Sequence, residues 1–190
     1  MLPVVKILEE PAAKAVRFLR NGEGGSLPGA TSTHANKTFP KIQVLPSQLT
    51  KGVVVVSCIT VEPPHRPHPH YLVGKGCEAQ RGVCVMELSS ETDEMTVEFA
   101  NLGIQRCEED IEESLRMREE IRVDPFRTGF YHKTRPDSID LNAVRLGFQV
   151  FLEGPEPGQF KIPLKPVVSE VIYDKNMLII LLSFNFTAPD

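Results

Sequence analysis

Short apolar runs separated by turn-forming residues make up most of the 190-residue chain. Period-two alternation is clearest at residues 83–88 and 145–150, as in strands with one buried face. Sixteen prolines and thirteen glycines punctuate the chain. The pattern predicts an all-β antiparallel sandwich or barrel, because a parallel sheet would need more crossover helices than the chain offers. The other strand-length runs are residues 4–8, 41–45, 52–61, 96–99, 144–152, 167–173 and 177–184.

One segment departs from this pattern and predicts a helix over residues 108–121. It is rich in Glu, Leu, Met and Arg, which are good helix formers. Acidic residues crowd its first turn, where the helix dipole favours them, and Asp124-Pro125 ends it. Ile111, Leu115, Ile121 and either Met117 or Arg118 form a narrow stripe, so we expect an insertion that is mostly exposed to solvent.

Composition and charge exclude several classes of protein. No apolar run approaches the roughly 18 residues needed to span a bilayer. The net charge of −4 argues against a generic polyanion binder, and residues 108–122, with seven acids and three bases, account for all of it. We found no catalytic, phosphate-loop or calcium-loop motif. We therefore expect no enzyme activity, no cofactor and no metal, the last because the histidines at 65, 68 and 70 lie in a proline-rich stretch.

The four cysteines at 58, 77, 84 and 107 contain no CxxC pair. Their even number would allow two disulfides. The chain starts without a signal peptide, and disulfides are rare inside cells, so free thiols are the favoured interpretation.

Several stretches resemble the Rel homology region, the DNA-binding unit of the NF-κB and Dorsal-like proteins. They occur in family order from about residue 4 to about residue 182. The strongest is 118–130 (REEIRVDPFRTGF). The others include 37–40 (KTFP), 53–58 (VVVVSC), 68–75 (HPHYLVGK), 101–105 (NLGIQ), 138–142 (SIDLN) and 166–169 (PVVS).

The resemblance implies an immunoglobulin-like sandwich whose loops reach into the major groove of double-stranded DNA. A κB-like, G-rich site would be read by the loop 17–29. Arginine can meet guanine edges with two hydrogen bonds, a carboxylate can accept from cytosine, and lysines hold phosphates. The DNA-binding candidates are Arg17, Arg20, Glu23, Lys75 and Lys175; for the two lysines, a solvated surface charge is the alternative.

The chain departs from the family in its DNA-contacting segments. The family loop reads approximately RFRYxCEGRSAGSIPG, whereas here Leu19 replaces an arginine, Arg20 a tyrosine and Gly22 a cysteine. Three residues are missing after Gly24. Acidic residues at 108–110 also stand where the family carries lysines. The departures predict weak DNA binding and keep a second function open, a truncated or degenerate Rel paralogue acting as an interaction or regulatory protein.

The resemblance also implies domain organisation and partners. We expect a Rel-type N-terminal DNA-binding domain over residues 1–182, a divergent tail over 183–190, and no dimerisation domain, so the chain should be monomeric. A Rel-family dimer partner, an IκB-type inhibitor, and a location in cytoplasm and nucleus with signal-dependent import follow by resemblance. No membrane partner is expected.

The strand pattern makes a direct prediction for spectroscopy. The far-ultraviolet circular dichroism spectrum should be dominated by β structure, with a small contribution from the helix at 108–121. A spectrum dominated by helix would contradict the predicted fold.

Overall fold

The computed structural model describes residues 3–14, 16–20, 26–45, 51–78, 80–89 and 94–176. The strands in this part of the chain are β1 (Val4–Glu9), β2 (Lys41–Leu45), β3 (Lys51–Ile59), β4 (Tyr71–Gly74), β5 (Cys77–Glu78), β6 (Val83–Ser89), β7 (Thr96–Glu98), β8 (Leu102–Gln105), β9 (Ala143–Glu153), β10 (Phe160–Pro163), β11 (Val167–Val168) and β12 (Ile172–Tyr173). The helix α1 spans Ile111–Glu120, and two 3-10 turns cover Tyr131–Thr134 and Pro136–Ser138.

The described strands form three antiparallel sheets. The largest has the order β10-β9-β3-β6-β5, with β11 and β12 also pairing with β9. The second has the order β1-β2-β7, and β4 pairs with β8 in the third. A shared core of buried side chains fills the space between them, including Ile42, Val54, Leu72 and Phe148. This arrangement confirms the immunoglobulin-like antiparallel sandwich.

Strand positions follow the sequence pattern closely where alternation is strong. Strand β9 extends the expected run by one residue at each end, and β2 has the expected bounds. The run 167–173 is split into two short strands, because the buried Ser169 hydroxyl accepts a hydrogen bond from the Leu146 N–H at 2.9 Å and interrupts the pairing. Strands β4, β5, β8 and β10 were not expected. The run 177–184 lies outside the described residues.

Helix α1 is confirmed within the predicted segment. It buries Ile111, Ser114, Leu115 and Arg118, so Arg118 rather than Met117 lies on the inner stripe. Its apolar side chains join a small second core with Cys107 and Ile139. A helix with so little apolar surface needs a further attachment to the sandwich.

Arg118 supplies this attachment. Its guanidinium is almost completely buried and donates to the backbone oxygens of His70 at 2.9 Å and Ser114 at 3.0 Å. It also lies over the Tyr71 ring, 4.9 Å from the ring centre. A Cβ at Gly82 would come within 2.3 Å of Arg118, so glycine is required there for close approach. One cation thus joins the helix to β4 and the turn before β6.

The cysteine expectation is half correct. Cys58 and Cys107 are free and buried. Cys77 and Cys84 are joined by a disulfide, which corrects the prediction of four free thiols. The physical reason is register: the β5–β6 hairpin places these two residues directly opposite each other.

Replacing Arg118 with methionine should lower the free energy of unfolding by about 3 kcal/mol, because several buried acceptors would lose their donor. Urea unfolding would measure it. The matched control is Arg116→Met on the same helix. Arg116 is exposed and pairs with Glu112 and Glu113, so the loss there should stay below about 1 kcal/mol. Equal losses for both variants would contradict the proposed role of Arg118.

Candidate nucleic-acid interface

The segment at residues 16–20 is held between two parts of the chain. On one side, the Leu19 N–H donates to Ile104 O at 2.7 Å and the Arg106 N–H donates to Leu19 O at 2.8 Å. On the other side, the Lys175 N–H donates to Val16 O at 2.7 Å. Backbone pairing on both sides therefore fixes which side chains of this segment face outward.

The two arginines of the segment are exposed, and the residues between them are not. Phe18 is fully buried and meets the edge of the His70 ring, with centroids 5.7 Å apart. Leu19 is only 4% exposed. The residue that replaces the family's arginine therefore packs inward, and Arg20 is the next outward-facing cation after Arg17.

A buried carboxylate organises the base of the segment. Asp174 has no exposed surface and accepts from the Phe18 N–H at 3.4 Å. Its other oxygen accepts from the Arg106 guanidinium at 3.0 Å and lies 3.8 Å from Arg20. Arg106 also donates to Leu141 O at 2.9 Å. The pair Asp174–Arg106 thus links segment 16–20, strand β8 and the start of β9.

A second carboxylate closes the cluster on its outer side. Glu108 accepts from the Arg106 Nε–H at 2.6 Å and lies 3.9 Å from Arg20. The hydrogen bond from Arg106 lowers the pKa of Glu108, so this carboxyl is ionised at neutral pH. The two cations and the two anions balance one another. Arg20, Arg106 and Glu108 line part of a polar cleft of about 550 Å³.

Two buried histidines fix the chain behind this cleft. His68 bonds through Nε2 to Asp140 O at 2.8 Å, and His70 through Nε2 to Leu141 O at 2.7 Å. The carbonyls only accept, so each Nε2 carries the proton. Each Nδ1 then accepts a backbone N–H at 3.1 Å. The Nδ1 of His68 accepts from the His70 N–H, and the Nδ1 of His70 accepts from the Cys107 N–H.

The structure brings three of the five candidate DNA-binding residues to one edge. Arg17 and Arg20 project from the segment that pairs with the backbone of Lys175. Lys75 is exposed but lies away from this edge. It follows Gly74 of β4, which pairs with Leu102 at the start of β8, whereas Leu19 and Arg106 lie near Gln105 at the end of β8. Glu23 lies outside the described residues.

Sequence reasoning missed Arg106, Asp174 and the role of Glu108 as their partner. It identified the acidic residues only as a replacement for phosphate-binding lysines. The available signal was the arginine at 106, directly before the acids. Asp174 gave no local signal, because it is 68 residues away from Arg106 in the chain.

Within the described residues, no three His, Cys, Asp or Glu side chains are grouped so as to hold a metal ion. No described helix has the length and apolar character to cross a membrane. Another cleft, of about 600 Å³, lies between the C-terminal end of α1 and strand β9, away from the candidate residues.

Comparison with known proteins identifies relatives over nearly the whole chain. A model of the Rel homology DNA-binding domain matches residues 5–175. The embryonic polarity protein Dorsal of Drosophila melanogaster is 55% identical over 181 residues, which is 93% of this chain and 18% of that protein. Transcription factor p65 of Gallus gallus is 43% identical, over 90% of this chain and 30% of its own length. The chain therefore spans less than a third of each of these two relatives.

A solved structure agrees in fold as well as in sequence. It is the structure of a Dorsal homologue, Gambif1, bound to DNA. It is 57% identical, with a TM-score of 0.84 over 90% of this chain and 98% of that one. The family expectation and the fold expectation are both confirmed.

The buried histidines predict acid-sensitive stability. Burial lowers the pKa of His70 to about 4 and that of His68 well below its usual value. The unfolded chain therefore takes up these protons first as the pH falls. Stability is complete above about pH 6.5 and declines towards pH 4, with roughly 2 kcal/mol lost through His70 by pH 5.

Urea unfolding of wild type and His70→Gln at pH 7 and pH 5 would measure this loss. The difference between the two pH values should shrink in the variant. His34 is exposed, so His34→Gln should leave the difference unchanged. An unaltered pH dependence in His70→Gln would show that His70 is not the source.

Proposed function

This chain belongs to the Rel homology DNA-binding domain family, and from that premise we propose that it reads double-stranded DNA at a κB-like, G-rich site. The observation that carries the proposal is the exposed pair Arg17 and Arg20 on a segment fixed by backbone pairing. A fixed backbone limits the entropy lost when a side chain binds, which favours specific contacts.

Each candidate residue has a distinct role in this proposal. Arg17 reads a guanine edge in the major groove through two parallel hydrogen bonds. Arg20 and Lys175 lie beside it and hold phosphate oxygens, which position the protein without reading sequence. Glu23 accepts from a cytosine amino group. Lys75 is the most distant candidate and contributes least.

A second function is favoured by one specific observation. Glu108 and Asp174 neutralise Arg20 and Arg106 in the free protein, and Leu19 faces inward. A chain with these features could act as an interaction or regulatory protein of the Rel type that competes for partners and binds DNA weakly. DNA titration separates the two functions.

Family membership also supports proposals for the biological setting. We propose a Rel-family dimer partner, an IκB-type inhibitor and signal-dependent passage from cytoplasm to nucleus. The domain assignment of residues 1–182 with a tail at 183–190 remains a prediction. The family match ends at residue 175.

The Arg17→Ala variant should bind a κB duplex roughly tenfold more weakly and discriminate less between G-rich and mutated sites, because one bidentate arginine–guanine pair is lost. Lys175→Ala should weaken binding to both sites equally and make the salt dependence less steep, by about one phosphate contact. Fluorescence anisotropy at about 50 and 150 mM salt would measure both effects.

The matched control is Arg116→Ala, which removes an exposed arginine from the helix and should leave DNA affinity nearly unchanged. If wild type binds the two duplexes equally and Arg17→Ala changes nothing, segment 16–20 does not read DNA. The interaction-protein function should then replace the first proposal.

A further inference from the structure

We infer that Arg20 and Arg106 form a phosphate-binding site that the Glu108 carboxylate occupies in the free protein and vacates when a nucleic-acid backbone binds. The inference rests on the proposed DNA-binding function and adds an internal competitor to it. The ligand is a phosphodiester oxygen, recognised by two guanidinium groups.

The Arg106 guanidinium of this site is already held in position in the free protein. Arg106 is only 7% exposed, and its NH1 is held by Leu141 O at 2.9 Å, Asn142 Oδ1 at 3.3 Å and Asp174 Oδ2 at 3.0 Å. These acceptors fix the guanidinium and leave its Nε directed at Glu108 Oε1, 2.6 Å away. An oxygen anion at the position of Glu108 Oε1 would meet the same donor without rearranging Arg106.

The side chain of Glu108 is free to leave this position. Its carboxylate is 50% exposed and Arg20 is 44% exposed, so both reach water. Glu108 lies in the short connection between β8 and α1, where its side chain can turn outward without disturbing either element. The Arg20–Glu108 pair is partly exposed and therefore weak, and a competing anion would replace Glu108 as the acceptor for Arg106.

Charge balance favours an exchange of one anion for another. Arg20, Arg106, Asp174 and Glu108 together are neutral. When Glu108 turns away, the remaining three groups carry one positive charge, which matches the single negative charge of a phosphodiester. Binding then replaces a carboxylate with a phosphate oxygen, and charge-assisted N–H to O contacts are retained.

The neighbouring acids provide an internal comparison. Glu109 and Asp110 line the same cleft, yet within the described part of the chain neither carboxylate has an ion pair. Glu109 and Asp110 would repel a phosphate only through space. Glu108 would repel it too, and it also occupies the position beside Arg106 Nε that the phosphate oxygen would take. Removing the charge at 108 should therefore do more than removing the charge at 109.

The decisive comparison is Glu108→Gln against Glu109→Gln in a κB duplex titration. Glu108→Gln should tighten binding roughly tenfold without changing the slope of log affinity against log salt, since the same phosphate is engaged and only its internal competitor is lost. Glu109→Gln should tighten it less than about threefold, with an unchanged slope. The double variant Glu108→Gln, Arg20→Met should lose most of the affinity that Glu108→Gln gains.

A second measurement needs no DNA. Inorganic pyrophosphate would be titrated into wild type and both variants while the arginine Nε–H signals of Arg20 and Arg106 are followed by nuclear magnetic resonance. In Glu108→Gln these signals should shift at a severalfold lower pyrophosphate concentration than in wild type or Glu109→Gln. Equal pyrophosphate affinity in the two single variants would overturn the inference, whether or not the duplex binds. If pyrophosphate behaves as expected and no variant binds the duplex, the anion site stands and the proposed DNA-binding function falls.

Discussion

The proline-rich segment at residues 62–70 imposes the constraint on which the rest of the structure depends. Its prolines lack N–H groups and fix the backbone, so the segment cannot satisfy its own carbonyls by regular pairing. Other parts of the chain provide the missing donors: His132 bonds to Pro67 O at 2.7 Å, the Ser114 hydroxyl to Pro69 O at 2.6 Å and Arg118 to His70 O at 2.9 Å. A buried carbonyl without a donor costs free energy, so these contacts hold helix α1 and the turn at Tyr131–Thr134 against the sandwich.

This attachment reaches the candidate interface through the histidine rings. His70 accepts the Cys107 N–H and bonds to Leu141 O, so it fixes both neighbours of Arg106 in space. Arg106 in turn bonds to Asp174, which receives the Phe18 N–H. The outward direction of Arg17 and Arg20 is therefore determined by a chain of buried polar contacts that begins in the proline-rich segment.

The same cluster explains how an acidic chain can belong to a family of DNA-binding domains. The excess negative charge is concentrated at residues 108–122, and part of it is used within the protein. Asp174 pairs with Arg106 on its buried side, and Glu108 pairs with it on the side that faces solvent. In the proposed phosphate site, the local balance between these carboxylates and the two arginines matters more than the net charge of −4.

The sequence alone determined the sandwich, a helix within residues 108–121 and the candidates Arg17 and Arg20, because period-two alternation, helix-forming composition and family motifs are local signals. It did not determine that Leu19 packs inward, that Arg118 is buried, or that Cys77 pairs with Cys84. Those outcomes depend on register and on partners far away in the chain. The Arg106–Asp174 pair is the clearest case. Its two residues are 68 positions apart, and segment 16–20, which pairs with the backbone next to both, brings their charges together.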